Sequence, residues 1–223
     1  MRKICSLGLS FFLLCACSFS AEEQKNPAPE TPTQTAAPLK KIIAFGDSLT
    51  EGYGLDPEQA YPALLQQKLQ QEGYQNYEVL NSGVSGETTS GALSRAQWIV
   101  SLKPKIVILE TGANDALRGV DLNVTQQNIA KILEIFQKAH IAVIFAGMKI
   151  TENLGQEYTQ KFDALYPALA QKFQVPFIPF FLAGVATDSK LNTADEIHPN
   201  TEGYKIIVEK NIFPKLEPLL QRE

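Results

Sequence analysis

Short apolar runs, most of them closed by a glycine-containing polar turn, alternate along the chain with stretches whose apolar residues recur at helical spacing. Ile42-Ile43-Ala44-Phe45 runs into Gly46-Asp47-Ser48, residues 77–81 into Ser82-Gly83-Val84-Ser85-Gly86, and residues 106–110 into Thr111-Gly112-Ala113-Asn114-Asp115. Short runs of branched side chains ended by turn residues predict buried strands, and two more fall at 141–146 and 175–178. The stretches between them predict helices. In 61–69, positions 61, 64, 65 and 69 form one apolar face, Pro62 suits a first turn, and Gly73 ends the helix. Further helices are expected at 89–102, 124–139, 158–173 and 201–220, while 50–55, with two glycines, reads as a loop passing close to a ligand. Parallel strands need crossover connections, so strands alternating with helices predict a parallel sheet covered on both faces. The expected fold is α/β: a flavodoxin-like three-layer sandwich around a five-stranded parallel sheet, occupying 39–223.

The first 38 residues break this pattern. Arg2 and Lys3 precede a short apolar segment from Ile4 to Leu14, a combination typical of a secretory signal. At about 11 residues, against the ~20 that span a bilayer, the segment is too short for a transmembrane helix. It ends in Leu14-Cys15-Ala16-Cys17, which resembles the lipobox of bacterial lipoproteins. That reading gives a signal peptide at 1–16 and a lipid on Cys17, the membrane partner being reached through this anchor. A plain signal peptide cut near Ser20-Ala21 is the alternative. Residues 17–38 carry Pro27, Pro29, Pro32 and Pro38 without apolar periodicity and read as a disordered tether, able to span roughly 60 Å if extended. Localisation in the bacterial cell envelope, anchored and facing the periplasm, follows as the expectation. All three cysteines (Cys5, Cys15 and Cys17) lie in the leader, so the body offers neither disulfide nor thiolate nucleophile.

With 44% hydrophobic and 20% charged residues, the composition is that of a globular body. The formal charge of -4 becomes -6 without Arg2 and Lys3, 18 basic against 24 acidic side chains. No Lys/Arg-rich block occurs, so nucleic acid is not an expected partner.

Ser48 gives the pattern its chemistry. A hydroxyl at the carboxyl end of a parallel strand stands where open α/β sheets bind ligands; alternatively, Asp47 or Ser48 merely caps a following helix. The chain has two histidines. His140 falls between a helix and a strand, at the amino edge of the sheet, and suits the helix C-terminus it follows. His198, within Thr193-Ala194-Asp195-Glu196-Ile197-His198-Pro199, follows the last strand and shares the edge of Ser48. Asp195, three residues earlier, can meet it on one side of a helical turn. A carboxylate accepting from Nδ1 leaves Nε2 to take a proton from a serine. The competing reading makes Asp195 and His198 caps of the terminal helix. Backbone N–H groups near Ser48 and Gly83, with the Asn114 amide, offer oxyanion donors, although Gly83 and Asn114 are also ordinary turn residues. Without cysteine or a second histidine at this edge, zinc would lack its usual ligands, and no metal is expected.

These residues together resemble the SGNH (GDSL-type) hydrolases: Gly46-Asp47-Ser48-Leu49 resembles the first block, Gly83 the second, Gly112-Ala113-Asn114-Asp115 the third, and Asp195-Glu196-Ile197-His198 the fifth. The likeness runs from about Lys40 to the final helix. It is most detailed toward a bacterial branch of arylesterases, acyl-CoA thioesterases and lysophospholipases, through 46–54, 111–119 and 175–181. The resemblance implies Ser48 as nucleophile, His198 as base, Asp195 as its orienting acid, and Ser48 N–H, Gly83 N–H and Asn114 as the oxyanion hole. It also implies an acyl-enzyme, no cofactor, and a small acyl ester, thioester or lysolipid as substrate. The lipobox and tether depart from the soluble members of that branch. So does Met148-Lys149-Ile150-Thr151-Glu152-Asn153, where related chains carry a proline-containing loop. Two other readings stand beside an ester hydrolase: an O-deacetylase of envelope carbohydrate, and a non-catalytic binding lipoprotein.

Overall fold

In the computed structural model, which describes residues 38–150 and 154–222, the first apolar run forms β1 (Lys40–Gly46). A short helix α1 (Ser48–Glu51), a 3-10 turn (Pro57–Gln59) and α2 (Tyr61–Gln71) lead to β2 (Tyr77–Gly83). Next come α3 (Thr89–Ser101), β3 (Ile106–Glu110), α4 (Ala113–Leu117), α5 (Leu122–Lys138), β4 (Ala142–Ala146), α6 (Gln156–Phe173) and β5 (Phe177–Ile178). The chain closes with α7 (Thr201–Ile206), a π-helical segment (Ile207–Ile212), α8 (Phe213–Leu216) and a 3-10 turn (Glu217–Leu219). The leader, Cys17 and most of the tether lie outside the described residues, as do 151–153 of the loop after the fourth strand.

The strand pairings of the sheet are all parallel, in the order β2-β1-β3-β4-β5. This is the expected five-stranded sheet. Its central strands are apolar on both faces because both are covered: Ile42, Ile43, Ala44 and Phe45 are all buried, as is every residue of β3. α3 packs on α5 and α5 on α6 in one layer, while α2 packs on α7 and the π segment in the other. Phe45 meets Phe136 of α5 edge-on in the first, at 5.9 Å, and Tyr61 faces Tyr204 in the second, at 6.3 Å. α5 shows why: Thr125, Asn128, Ile129, Ile132, Leu133 and Phe136 recur at helical spacing and are the residues it buries.

Three expectations change. The loop at 50–55 begins as helix, because Asp47 caps α1 by accepting the Leu49 N–H at 3.0 Å. The strand at 175–178 shrinks to two residues: the Val175 N–H is taken by the Ala170 carbonyl at the end of α6, and Pro176 has no N–H to give. The terminal helix is not one α-helix. Pro214 and Pro218 each remove a donor, and the chain responds by widening ahead of Pro214, where the Phe213 N–H reaches back five residues to Val208.

Candidate active site

Ser48 opens α1 two residues beyond the end of β1, at the carboxyl edge of the sheet. Both readings of Gly46-Asp47-Ser48 therefore hold at once, Asp47 capping the helix whose first residue presents the hydroxyl. Ser48 Oγ lies 2.8 Å from His198 Nε2, and His198 Nδ1 lies 2.6 Å from Asp195 Oδ2. A carboxylate only accepts, so the imidazole proton belongs on Nδ1 and Nε2 is left to accept from the serine.

The loop carrying His198 is held by its backbone. The Thr193 N–H donates to the His198 carbonyl at 2.8 Å and the Asn200 N–H to the Leu191 carbonyl at 2.9 Å. Within that loop Asp195 Oδ1 accepts from Ile197 N–H, His198 N–H and Thr193 Oγ1, each at 2.9 Å. Partial burial pushes the Asp195 carboxyl up, but these donors and the His198 ring outweigh it and hold the group well below the usual aspartate range. The cap of α7 is neither Asp195 nor His198 but Asn200, which accepts the Gly203 N–H at 3.1 Å. Tyr53 leans on the His198 ring at 4.9 Å. His140 sits after α5 with φ 56°, its N–H on the Gln137 carbonyl, as its position at the amino edge implies.

The oxyanion donors divide. Asn114, in α4, directs Nδ2 to Asp47 Oδ2 at 3.1 Å and keeps its second amide proton. Gly83 differs from the expectation: it ends β2 opposite Gly46, and its only N–H donates to Asn81 Oδ1 at 2.9 Å. A Cβ at Gly83 would run into the Glu51 backbone, so this glycine serves the close approach of β2 to α1. Three residues on, Gly86 has φ 73° in the turn closed by Glu87 N–H on the Val84 carbonyl, and its N–H has no acceptor among the described residues. That turn is tied to both flanking elements. Glu51 at the end of α1 accepts from Ser85 N–H and Oγ, and Arg118 donates to the Gly86 carbonyl at 2.7 Å. Arg95 completes the clamp, bidentate on Glu87 at 2.7 Å and reaching the Gly46 carbonyl at 3.2 Å.

Beneath Ser48 two acids are buried side by side, Asp47 and Glu110. Glu110 Oε2 accepts from Thr50 Oγ1 at 3.0 Å and from Asp47 N–H at 3.3 Å, while Oε1 has no partner among the described residues. Burial, and then the neighbouring Asp47 carboxylate, pushes the Glu110 carboxyl well above the ordinary glutamate range. The segments that meet at Ser48 also expose apolar side chains: Tyr53, Val84, Leu117 and Ile197.

Residues 44–206 match the model of the GDSL-like lipase/acylhydrolase family. The chain is 36% identical over 189 residues to esterase TesA of Pseudomonas aeruginosa, covering 84% of this chain and 92% of that one. It is 32% identical over 192 residues to thioesterase 1/protease 1/lysophospholipase L1 of Escherichia coli K12, covering 86% and 90%. The crystal structure of TesA superposes with a TM-score of 0.77 at 36% identity, over 81% of this chain and all of that one.

Proposed function

The chain belongs to the GDSL-like lipase/acylhydrolase family and is a carboxylic ester hydrolase, and we propose that it works through an acyl-enzyme on Ser48. The observation that carries this is the unbroken relay Asp195 Oδ2–His198–Ser48 Oγ, at 2.6 and 2.8 Å. Ser48 Oγ attacks the acyl carbonyl as His198 Nε2 takes its proton, and Asp195 keeps the ring in that tautomer and offsets the imidazolium charge. The developing oxyanion accepts from the Ser48 N–H, the free proton of Asn114 Nδ2 and the N–H of Gly86, which takes the place expected of Gly83. His198 then returns the proton to the leaving oxygen or sulfur, and water repeats the sequence to free the acid and Ser48.

The family acts on esters, thioesters and lysolipids, and the exposed Tyr53, Val84, Leu117 and Ile197 favour an acyl chain over an acetylated sugar as the group bound here. The lipid on Cys17, the tether and an envelope location remain part of the proposal; mass spectrometry of the mature amino terminus tests them, an unmodified Cys17 or its absence ruling the anchor out. The function itself is tested by steady-state rates on p-nitrophenyl esters of two to sixteen carbons, with an acyl-CoA, a lysophospholipid and an acetylated sugar alongside. Ser48→Ala is expected to lose activity on all of them by at least ~10³-fold. A variant that turns over as fast as the native chain overturns the assignment.

A further inference from the structure

We propose that Glu110 is a positioning residue that acts as a neutral acid, donating its proton in a hydrogen bond to Asp47 and so locking the carboxylate that holds both the nucleophile helix and the oxyanion amide. This inference rests on the serine mechanism above and concerns a residue that touches neither substrate nor reacting atoms.

Asp47 is the joint of the site. Oδ1 accepts the Leu49 N–H that caps α1 at 3.0 Å, and Oδ2 accepts Asn114 Nδ2 at 3.1 Å. One carboxylate thus sets the orientation of Ser48 and of the amide expected to meet the oxyanion, and any turn of Asp47 moves both. Asp47 itself sits on Glu110, which takes its N–H, and Glu110 is completely buried at the end of β3.

Among the described residues no cation neutralises this pair. The groups that face it are Asp47 from the β1–α1 turn, Tyr61 from α2, Tyr166 from α6 and Tyr204 from α7, with His198 acting on Asp47 across the site. Arg95 of α3 reaches the Gly46 carbonyl, but its charge is met by Glu87. Two adjacent carboxylates without a counterion are strongly disfavoured in a low-dielectric interior, so the pair retains a proton. It belongs on Glu110. Asp47 already accepts from Leu49 and Asn114 on its two oxygens, which favours its charged form, whereas Glu110 Oε1 has no donor to meet. Oε2, accepting from Thr50 Oγ1 and the Asp47 N–H, is the carbonyl oxygen of such an acid, and Oε1 is left to carry the proton.

The analogue of a protonated glutamate is glutamine, which also accepts on one atom and donates from the other. Glu110→Gln is therefore expected to keep kcat within about threefold of the native enzyme on p-nitrophenyl butyrate, while Glu110→Ala loses about tenfold or more in kcat with little change in KM, because the lost element orients transition-state donors. A native-minus-Glu110→Gln infrared difference spectrum at neutral pH is expected to show the carbonyl stretch of one protonated carboxyl, a readout independent of turnover and of whether Glu110→Ala folds. Absence of that band, or a folded Glu110→Gln enzyme as impaired as Glu110→Ala, overturns the inference. Loss of all ester hydrolysis in the native protein would instead refute the serine mechanism, leaving the infrared result to stand alone.

Discussion

At the scale of single residues, Asp195 separates two effects often merged. Its geometric task is to hold one tautomer of His198, and Asp195→Asn leaves the shape while reversing the donor. A loss in kcat on the order of 10⁴ is expected, with KM little changed, from steady-state kinetics. Its electrostatic task shows in stability. The folded carboxyl is held below the ordinary aspartate range, so it contributes stability that is fully present above the unfolded value of about 4 and is lost as the pH falls toward the folded value. Urea midpoints of native and Asp195→Asn proteins are expected to differ by a constant amount at neutral and mildly acid pH and to converge below about pH 4. That Ser48, His198 and Asp195 meet, with Asn114 beside them on Asp47, was legible in the chain because few side chains can do the proposed chemistry and each falls at a strand end. Gly83 was not. The stretch 82–86 contains two glycines, and only the pairing of Gly46 with Gly83 shows which one belongs to the strand and which to the turn. Glu110 was equally hidden, since a glutamate ending an apolar strand reads as a solvent-facing terminus until Asp47 and Thr50 are seen to close over it.

At the scale of elements, the loop before α7 shows how a base is held without regular structure on one side. Asn200 accepts from Gly203 to start α7, and its own amide donates to the Lys190 carbonyl at 2.9 Å and the Asn192 carbonyl at 3.3 Å. One side chain thus joins helix start and loop. Replacing it by alanine removes an N-cap, worth about 1 kcal/mol, and takes the same donor from the Lys190 and Asn192 carbonyls. Asn200→Ala is expected to lower stability by about 1–2 kcal/mol in urea unfolding and to reduce kcat more than a remote cap variant of equal cost would, since His198 rides on that loop. A kcat equal to that of Asp121→Ala, which uncaps α5 without touching the His198 loop, counts against the coupling. The alternation of strands and helices was readable because buried parallel strands are apolar on both faces. The elements missed are those where hydrogen-bond supply overrides apolar content: Val175-Pro176 has the side chains of a strand without the donors, and α1 and α4 are too short to show a period.

At the scale of the molecule, the sheet brings to one edge side chains far apart in sequence. Tyr53 follows α1, Val84 follows β2, Leu117 ends α4 and Ile197 precedes His198. Each is exposed, at 53, 44, 67 and 58%. Singly, such exposure is ordinary; on the segments that carry the proposed nucleophile, base and oxyanion donors, four such side chains suit the acyl chain of the proposed substrate. The magnitude of that cover is open to measurement. Each buried methylene is worth about 0.8 kcal/mol, or roughly a factor of four in kcat/KM, so an octanoyl ester gains over an acetyl ester in proportion to the methylenes the rim shields. Leu117→Ser and Ile197→Ser each leave the relay untouched while removing part of that shield. Either variant is expected to lower kcat/KM for the octanoyl p-nitrophenyl ester by about four- to tenfold and to leave the acetyl ester within twofold. A proportionate loss on both esters would mean that these side chains support the loops rather than bind the chain, and unchanged kcat/KM on both would place the acyl group elsewhere on the edge.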